Sequence, residues 1–296
     1  MPVILKDGAG EIMMITNPDE LLKLKNNMFI GSIPNLINSS ISFHGENNIL
    51  VCENNVILKN SKIDFHSDNS IIYLSSNNHD YFVNISINRD SVCFIGKNNF
   101  FNGLTTIVVS EAKNVIIGSD CLFSYNIVFR VADAHLIYST KNNKRLNHSK
   151  SIYVGDHVWF GQNAMIFKGT QIGSGSIIGA GSILSNKIVP SNVTFAGSPA
   201  RLTKEDTFWT SHSTHNWGEK ETKKMNKYSS KDYIYKNDNS TVDFNDIEES
   251  ISKFSNTSDI LKYVEGNLVK TSKNKFYISH KSNEDIGKKN RLKRIF

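Results

Sequence analysis

The sequence predicts a mainly β chain wound as a left-handed triangular solenoid: a parallel β-helix with a short helix over its N-terminal end and a small, mostly helical appendage at the other. Three observations carry this. A six-residue repeat runs without a slip from Val154 to Val189. A longer echo, every 21 to 23 residues, runs through the first half of the chain. Asparagine is over-used, at 36 of 296 residues.

The repeat reads Val-Gly-Asp-His-Val-Trp, Phe-Gly-Gln-Asn-Ala-Met, Ile-Phe-Lys-Gly-Thr-Gln, Ile-Gly-Ser-Gly-Ser-Ile, Ile-Gly-Ala-Gly-Ser-Ile, Leu-Ser-Asn-Lys-Ile-Val. A bulky apolar residue opens each hexad, at 154, 160, 166, 172, 178 and 184, and Gly follows it in four of the six. A period of six matches neither the 3.6 of a helix nor the alternation of a long strand. It matches a short strand, a tight corner and another short strand, so that three sides close one coil. The apolar residue points into the prism, and Gly permits the corner. Ile117, Phe123 and Phe129 open three more sixes, and Val51, Ile57 and Ile63 another three. The echo is Asn48-Ile49-Leu50-Val51, Ser70-Ile71-Ile72-Tyr73, Ser91-Val92-Cys93-Phe94 and Asn114-Val115-Ile116-Ile117, each near one coil plus a short loop. Asn tolerates left-handed turns, which suits many tight corners.

The solenoid is expected over residues 41–204. Residues 1–40 are a cap, in which Asn17-Pro18-Asp19-Glu20 ahead of Leu21, Leu22 and Leu24 is a helix start. The sixes fail over the polar residues 133–150, an extruded loop of the kind that is usually functional or disordered in a regular solenoid. Residues 205–240 are a polar linker with two aromatic anchors, Trp209 and Trp217. Residues 241–296 form the appendage, with Ile247, Ile251, Phe254, Leu261 and Val264 near helical spacing and Phe276-Tyr277-Ile278 as a strand. Its basic tail (Lys288, Lys289, Arg291, Lys293, Arg294) is either a solvated terminus or an attraction to an anionic membrane face or an acidic polymer.

Composition narrows the function. Lys plus Arg is 34 against 28 Asp plus Glu, a surplus of +6 spread along the chain, which argues against a nucleic-acid binder. No stretch approaches the ~20 apolar residues of a transmembrane helix, and the first thirty residues show no signal peptide. Cys52, Cys93 and Cys121 fit no metal spacing, and reduced core thiols in a cytoplasmic protein are expected.

Three segments in order, Gly155-Asp156-His157-Val158-Trp159-Phe160-Gly161, Ile178-Gly179-Ala180-Gly181-Ser182 and Ala196-Gly197-Ser198-Pro199-Ala200-Arg201, resemble the closing coils of the left-handed β-helix, or hexapeptide-repeat, acyltransferases. Such proteins are acetyl-CoA-dependent and usually homotrimeric. A narrower resemblance, to the bacterial O-acetyltransferases that modify sialic acid in capsules and lipooligosaccharides, rests on Asp133-Ala134-His135-Leu136-Ile137-Tyr138, on Lys144-Arg145-Leu146-Asn147 and on the Val-Trp hexad. The sequence departs at Ala134, at His148 and in the long tail beyond Trp209. The resemblance implies an acetyl-CoA-dependent O-acetyltransferase acting on a hydroxyl of sialic acid in a bacterial surface glycan, working in the cytoplasm or at the inner face of its membrane. It also implies a homotrimer with the active site between subunits. Another sugar or small-molecule acceptor is the alternative. A non-enzymatic scaffold, or a relic of a γ-type carbonic anhydrase built on His135, His148 and His157, is a distant third.

A sugar hydroxyl needs a base near pKa 6–7 to attack a thioester, and His fits. By resemblance the base is His135, at the start of the loop. Asp133 is a candidate to orient it or to contact the acceptor. Lys144, Arg145 and His148 are the other acceptor candidates, while His157 is read as structural. Trp159 ends a hexad, and its indole is placed by the resemblance to donate to the oxyanion or to wall the site. The pantetheine arm of the donor lies along small-residue corners, for which Gly161, Gln162, Ala180 and Ser185 stand in the family's places. Lys187, Arg201 and Lys204 are candidates for its phosphates, with Lys168 a weaker one. No metal is required.

Overall fold

The computed structural model describes residues 3–7, 10–270 and 272–280; the basic tail lies outside them. The chain winds as a left-handed parallel β-helix of triangular section. Its first face is a nine-stranded ladder, its second an eight-stranded one, and its third a six-stranded one, with a two-stranded pair (Asn35–Ile37 and Ile57–Lys59) beside them. One coil shows the path: Ile127–Arg130 lies on the first face, Ile152–Val154 on the second and Trp159–Phe160 on the third, before Met165–Phe167 returns to the first.

The hexad-opening residues Val154, Phe160, Ile166, Ile172, Ile178 and Leu184 all point inward and are fully buried, as are Ile117, Phe123 and Phe129. Phe123 stacks between Phe101 and Phe160, with ring centroids 4.7 and 5.1 Å away. Of the earlier sixes Ile63 faces the interior as expected, but the other two are placed differently. Leu50, Cys52 and Leu58 face the interior, while Val51 lies on the outer surface of the second face. The last echo is also shifted: Val92 pairs with Asn114 and Cys93 with Val115, a spacing of 22 and not 23 residues. A one-residue slip would turn every side chain of that strand to the wrong side.

The glycines serve a different purpose from the expected one. A Cβ on Gly155 or Gly161 would sit 2.6 or 2.5 Å from backbone nitrogen of the next coil, so Gly permits close coil stacking. The left-handed residue of each corner comes two positions later: His157, Asn163, Gly169, Gly175 and Gly181 all have positive φ. Among the described residues, eleven asparagines take that conformation, which accounts for part of the asparagine excess.

Parallel pairing begins at Met28–Gly31, one coil ahead of residue 41. Before it, the hairpin Val3–Asp7 and Gly10–Ile15 adds antiparallel to Ser40–Phe43. The expected helix is a 3-10 turn, Pro18–Lys23, capped by the Asn17 side chain and tucking Leu21 against the open end. The three cysteines are buried and unpaired.

The C-terminal region is docked on the prism. Helix α1 (Glu219–Lys224) lies in the segment read as a linker. Helices α2 (Phe244–Ser252) and α3 (Thr257–Tyr263), followed by a π turn (Val264–Leu268), cover the outer surface of the second face. Phe244, Ile247, Ile251, Leu261 and Val264 pack on Ile49, Ile71, Tyr73, Phe94, Ile116 and Tyr153. The Tyr153 hydroxyl donates to Glu248 on α2, which also pairs with Lys113 at 3.2 Å. Phe276-Tyr277-Ile278 is not a strand: two of its carbonyls each accept one backbone bond, from Ser174 and Ser191.

Candidate active site

The loop 133–150 leaves the prism at the edge joining the first and second faces. It is a short antiparallel hairpin, with Tyr138 bridged to Arg145 and its base pinched by the Lys150 amide donating to Val131 at 3.1 Å. Asn147 holds its two arms together. Its amide nitrogen donates to Asp133 Oδ2 at 2.9 Å and to the His135 carbonyl at 2.7 Å, and its Oδ1 accepts from the Ile137 amide at 2.9 Å. Asn147 is buried, whereas His135 projects into solvent. The backbone of His135 is thus fixed by a neighbour that leaves the imidazole exposed.

Asp133 is a strut rather than a partner of the imidazole. Its carboxylate also takes the Lys168 ammonium at 2.5 Å, and these hydrogen bonds hold its pKa below the usual carboxylate range. Arg145 is likewise engaged, donating to both oxygens of Glu111 at 2.8 and 2.9 Å. Lys144 and His148 are exposed.

Beside the loop's origin lies a cavity of about 270 Å³ lined by Arg130, Ala132, Asp133, Ala134, Phe167, Lys168 and Ser185. Two cations and one carboxylate give it a surplus positive charge. Arg130 was not singled out from the sequence, because it closes an unremarkable strand, Ile127–Arg130. Chain adjacency puts it next to the loop, and the pairing of its strand with Met165–Phe167 sets it beside Phe167 and Lys168 in the cavity wall.

Trp159 lies on the third face, across the prism from the loop. Its strand neighbours Leu122 and Ile177 extend an outward apolar row that begins at Phe100. Its ring is 37% exposed and its N–H reaches Ser124 Oγ at 3.4 Å. His157, two residues earlier, is buried. It stacks on Trp209 with centroids 4.0 Å apart and the planes 2° from parallel, and on Tyr233 at 4.4 Å. Its Nε2 bonds to the Trp209 carbonyl, and burial pulls its pKa below 6.5.

The donor candidates fall into two groups. Gly161, Gln162 and Ala180 form the edge between the third and first faces, with Arg201 and Lys204 nearby on the antiparallel strand Ala200–Lys204. That edge is open: a Cβ on Gly181, whose amide bonds to the Gln162 carbonyl at 2.8 Å, would meet nothing within 4 Å. Ser185 and Lys187 lie on the other edge, that of the loop. A single chain therefore brings His135 together with neither Trp159 nor the larger donor group. Among the described residues, no cluster of three or more His, Cys, Asp or Glu side chains is placed to hold a metal.

No family model matches the chain. It is 32% identical over 198 residues to a polysialic acid O-acetyltransferase of Neisseria meningitidis, across 66% of this chain and 81% of that protein. The chain belongs to this family of acyltransferases. A second member, the polysialic acid O-acetyltransferase of Escherichia coli O1:K1 / APEC, is 41% identical over 131 residues, 43% of this chain and 42% of its own length. The crystal structure of the polysialic-acid-specific acetyltransferase NeuO superposes with a TM-score of 0.59 at 32% identity, over 65% of this chain and 82% of that one. Family membership fits the hexads, the extruded loop and the Val-Trp hexad. It leaves open what the docked C-terminal region contributes.

Proposed function

We propose that the chain transfers an acetyl group from acetyl-CoA to a hydroxyl of sialic acid in a bacterial surface glycan, a capsule or lipooligosaccharide, in the cytoplasm. His135 takes the hydroxyl proton as the oxygen attacks the thioester carbonyl. The Trp159 N–H donates to the tetrahedral oxyanion. Collapse expels the coenzyme A thiolate, which recovers the proton from His135, and the ester is released. The observation that carries this reading is the Asn147-stapled loop, which presents an exposed imidazole beside a cavity with surplus positive charge. The carboxylate of the sugar is assigned to that cavity against Arg130, with Lys144 an exposed acceptor candidate farther along the loop. Arg145 and Asp133 shape the loop.

The reading requires more than one chain. The base stands on one edge and the indole on the opposite face, so a complete site forms when the loop of one subunit meets the third face of the next. Two observations support a homotrimer built this way. Leu136, Ile137, Tyr138 and Leu146 on the loop are each more than half exposed. The apolar row through Trp159 is only partly covered, with Phe100 38% and Trp159 37% exposed, whereas the second face is closed by the chain's own α2 and α3.

The test is His135→Ala. A positioned base is worth roughly 100-fold or more in kcat, while acetyl-CoA binding stays near the parent's. The acceptor is identified by labelled acetyl transfer to oligosialic acid, neutral polysaccharide, free sialic acid and serine. Light scattering of a stable 33.3 kDa particle would refute the shared site.

A further inference from the structure

Trp209 belongs to the C-terminal region whose role the sequence leaves open. The segment that carries it is strapped over the corners joining the second and third faces, and Asn192 ties both of its ends. The Asn192 carbonyl accepts from the Thr207 amide at 2.8 Å; its Nδ2 donates to the Tyr233 carbonyl at 2.7 Å; and its Oδ1 accepts from the Tyr235 amide at 2.7 Å. Between these ties the His157 ring is held in a sandwich of Trp209 and Tyr233. Trp209 and His157 also exchange bonds to each other's backbone: the indole N–H donates to the His157 carbonyl at 2.9 Å, and His157 Nε2 meets the Trp209 carbonyl at 3.1 Å. Trp209 is 8% exposed.

The same ring packs against Trp159, centroids 6.2 Å apart and planes tilted by 49°. Trp159 otherwise stands partly exposed on a flat face, with a hydrogen bond at the long end of the range to Ser124. An exposed indole samples several rotamers, and one that must meet an oxyanion benefits from a neighbour that removes the others.

We propose that Trp209 is a positioning residue for acetyl transfer. It is clamped to the His157 corner by reciprocal bonds and stacking, and it holds the Trp159 indole in its working orientation. The strap is thereby part of the active site. This rests on the reading that Trp159 serves the chemistry.

The experiment is a double-mutant cycle on the full chain, with kcat and KM measured for acetyl-CoA and for oligosialic acid. Trp209→Ala lowers kcat at least ~10-fold while the acetyl-CoA KM stays within about threefold, and Trp209→Phe, which keeps a ring against Trp159, restores part of the loss. In a Trp159→Phe background, adding Trp209→Ala costs less than about twofold, because coupled residues are not additive. An unchanged kcat in Trp209→Ala, or an equal loss in both backgrounds, overturns the proposal. If Trp209→Ala does not fold, Trp209→Phe decides: a kcat loss that vanishes in the Trp159→Phe background supports the proposal, and a parental kcat overturns it. A Trp159→Phe single variant with parental kcat instead refutes the role of Trp159, without reference to Trp209.

Discussion

Asn147→Ala tests how the loop is built. The substitution removes three hydrogen bonds, to Asp133 Oδ2, to the His135 carbonyl and from the Ile137 amide. Each is worth about 0.5–1.5 kcal/mol net, and together they favour the ordered hairpin by about 2–4 kcal/mol. At 1.4 kcal/mol per decade, that shifts the loop between ordered and disordered forms by about 30- to 1000-fold. The remaining ties include the Lys150 amide to the Val131 carbonyl, the Lys168–Asp133 pair, the Tyr138–Arg145 bridge with its flanking backbone bonds and the Arg145–Glu111 pair. The last of these is partly exposed and contributes little. Acetyl transfer is measured with oligosialic acid as acceptor. The expected kcat is at least ~10-fold below the parent's, with the melting temperature nearly unchanged because the loop lies outside the prism core. Asn147→Asp should do as badly, since it loses the donor and sets a second carboxylate against Asp133. A kcat within twofold of the parent for both variants would refute the idea that Asn147 positions the base.

Arg130→Gln should raise KM for an acidic acceptor by up to about fivefold, the scale of an exposed charge contact, and leave KM for acetyl-CoA alone; a rise for acetyl-CoA only would reassign the cavity to the donor. Ile247→Ala, at a fully buried contact between α2 and the second face, should cost about 2–5 kcal/mol in chemical denaturation, and a smaller loss would mean that the appendage docks loosely. His157 has a folded pKa below 6.5 through burial, so its contribution to stability is present above 6.5 and is lost as pH falls through the lower folded value. The neighbouring Asp156, pushed up to about 7 by burial, has the opposite sign: its contribution is lost as pH rises from 3.8 towards 7. The difference between parent and His157→Asn, an exchange the left-handed corner tolerates, isolates the histidine. The parent should show the steeper loss of stability below pH 6.5, and parallel curves would contradict a buried, neutral His157.

Periodicity carried the regular coils. Val154 to Leu184 are inward-facing because a strict six-residue repeat has one solution: the same side chain must face the axis at every corner. It failed where the coils are irregular. Val51 is as apolar as Leu50, and both are buried, one against α2 and α3 and the other inside the prism. Hydrophobicity alone cannot distinguish an interior from a covered exterior. Within the candidate site, His135 and Trp159 were singled out through the family resemblance of the segments that hold them. Asn147, Arg130 and Trp209 were not, because their importance comes from partners 12, 37 and 50 or more residues away. The loop cations show the same limit, since nothing local in Lys144-Arg145 tells that one is exposed and the other is taken by Glu111.

By itself, the sequence determined the solenoid, its handed corners, the place where it opens into a loop, and the acyltransferase resemblance. These follow from local rules: which residues turn, which alternate, and which repeat. Only the tertiary structure decided that the second face is closed by the chain's own helices, that His135 and Trp159 lie on opposite sides of one prism, and that the segment carrying Trp209 packs against Trp159. Those depend on how stacked coils bring residues from distant hexads into register, and on where a polar, aperiodic segment finds apolar surface to cover. Neither has a signature within any one stretch of chain.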